Sequence, residues 1–170
     1  VLFSLLFSLA SVDFVPYRPD KARWHYARAD SWLRSGEIEK AKLEAENVLH
    51  EDYSLYMPFR LGHAMALKGE YAIAERLLRA ALGGPDEPVP YRQDLHFHIG
   101  VVLAADGRDQ EAREYYEEAL RLNRKESRAH NDLGILLERQ GDEDAALRHY
   151  RAALDAHPEN TEGTVALRHA

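Results

Sequence analysis

Four glycines, at 36, 69, 107 and 141, divide the chain at intervals of 33, 38 and 34 residues, and the same order of small and apolar residues surrounds each of them. A period of this length restricts the chain to stacked supersecondary units, because one unit cannot bury its own apolar face and must lean on its neighbours. The order is clearest in residues 94–123 and 129–160. There an aliphatic-glycine pair (Ile99-Gly100, Leu133-Gly134) is followed seven residues later by the turn glycine, and five further on by Ala112 or Ala146. Tyr116 or Tyr150 and then Ala119-Leu120 or Ala153-Leu154 complete the unit. Two earlier copies share the register, one with Gly62, Gly69, Ala74 and Ala81, the other with Ala29, Gly36 and Ala41. The 38-residue interval accommodates GGPDEPVP at 83–90, which is too rich in glycine and proline to be helical throughout.

Within 109–122 the residues Ala112, Tyr115, Tyr116, Ala119, Leu120 and Leu122 recur at spacings of three and four, with charges filling the other face. That is the period of an amphipathic helix. The pattern predicts helices over 21–34, 37–50, 54–68, 71–82, 92–106, 109–122, 127–140 and 143–156, with another starting at 161. Ser127 and Thr161 are expected as N-caps, and the four turn glycines are expected to close the first helix of each pair. Small residues at Gly100, Gly134, Ala112, Ala146, Ala119 and Ala153 allow two antiparallel helices to approach closely. No alternating strand pattern competes, so the chain reads as all-α.

On these residues and spacings, roughly 22–160 resembles the tetratricopeptide repeat family, most specifically in the last two copies. Three positions depart from the family pattern. Arg28 replaces a large apolar residue, Pro58 opens the second copy, and Arg124 stands where Pro158 keeps the family's proline. The resemblance implies a right-handed superhelical solenoid of four hairpins (22–54, 55–92, 93–126 and 127–160). Residues 161–170 would then form a capping helix or start a further repeat. It also implies a concave surface built by the first helices and used to bind a protein or peptide partner. Carried over by register, that surface comprises Tyr26 and Asp30, then Tyr56, Phe59, Arg60 and His63, then Phe97 and His98, and finally Arg128, Asn131 and Asp132. Some of these aromatics could equally fill the core between repeats. Chaperone-type members of the family clamp a terminal carboxylate with lysines and asparagines. The corresponding positions here carry Arg60, His98 and Asp132, which disfavours that ligand.

Residues that carry chemistry elsewhere have structural explanations here. His25, His96 and His130 share one position of the first helix in three copies, one per hairpin, which argues for packing rather than for a convergent metal or pH-sensing cluster. In His96-x-His98 the two rings sit on different helix faces, and no cysteine is available as a further ligand, so no metal site is expected. No nucleophile-histidine-acid arrangement, phosphate-binding loop or dinucleotide glycine pattern is present. The chain is therefore read as a non-enzyme without a cofactor. A formal charge of −7 and no basic stripe argue against nucleic acid as a partner.

The amino end adds a second feature. Residues 1–12 carry no charge and only three serines as polar groups, too short a run for the ~20 apolar residues that span a bilayer. It could be a signal-peptide core with a Ser8-Leu9-Ala10 cleavage site, the end of a transmembrane helix, or a helix that docks on a partner. The favoured expectation is a membrane anchor over 1–15, a short linker over 16–21 and then the array. Arg18, Lys21, Arg23 and Arg28 would place the array in the cytoplasm, and basic residues upstream would reverse that, so the side of the membrane stays open. The functional expectation is a membrane-tethered interaction scaffold, an assembly factor or accessory subunit of a membrane complex. The alternative is the carboxyl-terminal tail of a polytopic membrane enzyme, such as a transferase or ligase acting on lipid-linked glycans.

Overall fold

A computed structural model describes residues 20–51, 56–83 and 89–156. Within them lie α1 (Lys21–Ser35), α2 (Ile38–Leu49), α3 (Tyr56–Ala66), α4 (Tyr71–Leu82), α5 (Val89–Ala105), α6 (Asp109–Leu122), α7 (Ser127–Arg139) and α8 (Glu143–Ala156). Consecutive helices pair as four hairpins. Neighbouring hairpins stack, with α1 against α3, α3 against α5 and α5 against α7, while each second helix also packs on the next hairpin's first helix. The described residues contain no strand, and the chain is an all-α solenoid.

The four turn glycines adopt φ of 80°, 79°, 79° and 82°. A Cβ would meet nothing within 4 Å at any of them, so glycine is selected there by backbone conformation rather than by crowding. The helical glycines obey the opposite logic. A Cβ on Gly100 would stand 2.6 Å from Cε1 of Tyr116, and one on Gly134 would stand 2.5 Å from Cε1 of Tyr150. In the second copy a Cβ on Gly62 would stand 2.8 Å from Cγ of Leu78. The two partners are sixteen residues apart in every copy, and in the first copy the same register holds Ala29 and Ala45. In the three later copies the volume removed from one helix thus returns on the other. Tyr116 and Tyr150 are 2% and 1% exposed, and they anchor a core that includes Leu61, Met65, Leu77, Leu95, Ile99, Leu103 and Leu133.

Three expectations change in detail. Ser127 is the first helical residue of α7 and is buried; Glu126 occupies the N-cap position without a side-chain cap bond. The Glu126 carboxylate is drawn instead to Gln93 and Arg128, which stabilises the junction between hairpins rather than the helix end. Helix α5 begins at Val89, earlier than expected, because Pro90 sits in the first turn, where its missing N–H costs no intrahelical bond. Helix α3 ends at Ala66, and residues 67–69 form the turn closed by Gly69. The expected anchor over 1–15 and the Thr161 cap with the helix over 161–170 lie outside the described residues. Among the described residues, no helix is long and apolar enough to cross a membrane.

Candidate protein-binding groove

The stacked first helices enclose a groove of about 380 Å³ between α3, α5 and α7, with α4 behind it. Its lining is Ala66, Leu67, Tyr71, Leu78, Phe97, Val101, Val102 and Ala105, with His63, His98, Arg128 and Asp132 supplying the polar groups. Leu67 is 74% exposed, an unusual position for a leucine that follows a packed helix. Val101 and Ile135 occupy the register position of His63 in the next two copies, and Ile135 is also exposed.

Five of the residues expected on the concave face meet at this groove. The rings of His63 and His98 are perpendicular at 5.3 Å, and Phe59 approaches the edge of His98 at 5.4 Å and of Tyr91 at 5.6 Å. Burial pushes the His98 imidazolium down from its usual range; Asp94, 3.7 Å away, opposes this and His63 adds to it. Phe97 is buried against Tyr116 and lies under the Arg128 guanidinium, 4.5 Å from its carbon to the ring centre. Arg128 donates to Asp94 at 2.8 Å and to Glu126 at 2.7 Å, and these bonds hold it charged. Asp132 sits beside Tyr116, whose phenol is pushed up first by burial and then by the neighbouring carboxylate.

The other expected residues lie off the groove. Asn131 is buried, donating to Asp132 Oδ1 at 3.2 Å. Tyr26, Asp30, Tyr56 and Arg60 form a separate cluster between α1 and α3. Arg60 donates to the Tyr56 hydroxyl at 3.0 Å, Asp30 pairs with Arg34, and burial pushes the Tyr26 phenol up. Phe59 contributes through His98 rather than by lining the floor. Concave-position reasoning missed Leu67, Val101 and Ala105; the repeat register aligns Val101 with His63, and Leu67 and Ala105 with each other.

The recurring histidines turn away from the groove into their own hairpins, each meeting the residue nineteen positions later. His25 bonds Glu44 at 2.7 Å, His96 stacks on Tyr115 at 5.6 Å, and His130 Nδ1 meets His149 Nδ1 at 3.0 Å. They do not converge. Among the described residues, no group of three or more side chains is placed to hold a metal ion.

A profile described as tetratricopeptide repeat matches residues 92–159, the part where the glycine-tyrosine packing is tightest. The fold is a tetratricopeptide-repeat array. Two curated relatives, both named Photosystem I assembly protein Ycf3 and drawn from Synechococcus elongatus and another Synechococcus strain, are 31% identical over 104 residues. That alignment covers 57% of this chain and 60% of theirs, so the chain spans about three fifths of the length of the relatives it matches. Among solved structures, YrrB, described as a TPR protein with an unusual peptide-binding site, superposes with a TM-score of 0.71. It is 17% identical, over 89% of this chain and 76% of its own. MamA gives 0.67 at 20% identity, over 85% and 83% of the two chains. The first repeat domain of Spaghetti (RPAP3), bound to the HSP90 peptide SRMEEVD, gives 0.61 at 20% identity, over 68% and 88%. At these identities the likeness is one of fold.

Proposed function

We propose that this chain is a non-enzymatic interaction scaffold that holds a segment of a partner protein in the groove between α3, α5 and α7 while a membrane complex is assembled. The observation that carries this reading is an open, largely apolar groove between the first helices of a repeat array, lined by a leucine left 74% exposed. The likeness to proteins named for photosystem I assembly supports the assembly role, and it makes a subunit of a membrane complex the kind of partner to seek. Residues 1–15, uncharged through residue 12, are proposed to tether the array to the membrane.

The test is co-purification of the full chain from detergent-solubilised membranes, followed by mass spectrometry, with Leu67→Lys and Glu117→Lys beside the wild type. Leu67→Lys should lose the partner, whereas Glu117→Lys, on the exposed face of α6, should keep it. Equal recovery with both variants would place binding elsewhere. Membrane fractionation of a chain lacking residues 1–15 tests the tether separately: a truncated array that stays with the membrane would rule the tether out.

A further inference from the structure

We propose that the groove recognises an internal, uncharged apolar segment of its partner rather than an acidic chain terminus. This rests on the groove being the binding face and goes further by naming what it selects.

The charges on its walls are already matched within the array. Arg128, the guanidinium that lines the groove, is held between Asp94 at 2.8 Å and Glu126 at 2.7 Å. His98 lies beside Asp94 and edge-on to Phe59 and His63, and burial favours its neutral form. An incoming carboxylate would meet a guanidinium already flanked by two carboxylates, Asp94 and Glu126, and would face the Asp132 carboxylate on the same wall. Its charge would have to be desolvated against an excess of negative groups.

The floor offers the opposite. Leu67, Val101 and Ala105 present aliphatic surface, and Ile135, 42% exposed, continues the Val101 register on α7. Apolar anchors gain by leaving water here, and the groove's 380 Å³ falls in the range of about 300–1,000 Å³ typical of sites that enclose a ligand.

Two libraries of short random peptides, one blocked at both ends and one with a free carboxyl terminus, separate the possibilities when panned on the full chain and on Leu67→Lys. The expected outcome is enrichment of apolar, non-acidic sequences from both libraries, with no benefit from a free terminus and a loss of about tenfold or more in affinity on Leu67→Lys. The heptapeptide SRMEEVD should not bind. An acidic-terminus reader reverses both signs: enrichment would require the free carboxylate, and the added lysine would strengthen binding. That result overturns this inference and leaves the groove as the binding face. Enrichment that ignores Leu67→Lys, or no enrichment from either library, overturns both.

Discussion

Replacing Gly134 with alanine sets two opposed effects against each other at one atom. In an unobstructed helix interior the change stabilises by about 0.8–1.0 kcal/mol, because glycine has more backbone freedom to lose. Here the new Cβ would lie 2.5 Å from Cε1 and 2.7 Å from Cδ1 of Tyr150, well inside van der Waals contact. The ring cannot swing aside freely, being 1% exposed and tied through its hydroxyl to Glu138 at 2.7 Å. Overpacking of this kind costs about 1–3 kcal/mol, which exceeds or offsets the propensity gain and leaves a net destabilisation of roughly 0–2 kcal/mol. For a chain of this size, a loss of 1 kcal/mol corresponds to a fall of about 2–4 °C in melting temperature. Gly100→Ala should behave alike against Tyr116, and Gly62→Ala more mildly against the branched end of Leu78. Urea titrations of Gly134→Ala, Tyr150→Leu and the double variant measure the coupling: the smaller side chain should relieve the clash, so the double variant should be more stable than the sum of the singles. Stabilisation of Gly134→Ala by the full propensity gain would refute the packing assigned to every hairpin.

Three further outcomes are expected. Phe97→Ala should cost about 3–5 kcal/mol, because the ring is 6% exposed and belongs to the core, whereas Leu67→Lys should leave the melt within about 0.5 kcal/mol; paired thermal melts check both. Burial, the largest cause in each case, lowers the affinity of His96, His98 and His149 for protons, aided at His149 by the neighbouring His130 and at His98 by His63. A folded state that resists protonation is fully stabilised above the usual histidine value of about 6.5 and loses that contribution as pH falls below it. Urea midpoints should therefore drop between pH 7 and pH 5, less so in His149→Asn, and a flat profile would contradict the burial of these rings. Glu44→Gln should weaken the first hairpin, since the 6%-exposed carboxylate meets both His25 at 2.7 Å and Arg28 at 2.9 Å, and local hydrogen exchange in α1 and α2 would report it.

The hairpins were legible because their signals are local. A turn glycine at positive φ and a small residue facing a ring sixteen positions later leave marks in the one-dimensional pattern. The histidines were legible for the same reason, as packing positions repeated in three copies. The groove was only partly legible. Register places Phe97, His98 and Arg128 on the first helices, but burial of Phe97 and the engagement of Arg128 by Asp94 and Glu126 depend on neighbouring hairpins. Leu67 escaped notice because an apolar residue on a helix reads as core until the stack shows nothing covering it. Ser127 misled because a serine before an apolar run is a strong cap signal, whereas the Glu126 backbone takes that position while its side chain reaches the preceding hairpin.

The central claim, that partners are held on the concave face, is tested most directly by hydrogen-deuterium exchange of the full chain with and without its co-purified partner. Binding in the groove should slow exchange in α3, α5 and α7, most around Leu67 and Val101, and leave α6 and α8 unchanged. Protection confined to α6 and α8, with α3 and α5 exchanging as in the free chain, would contradict it.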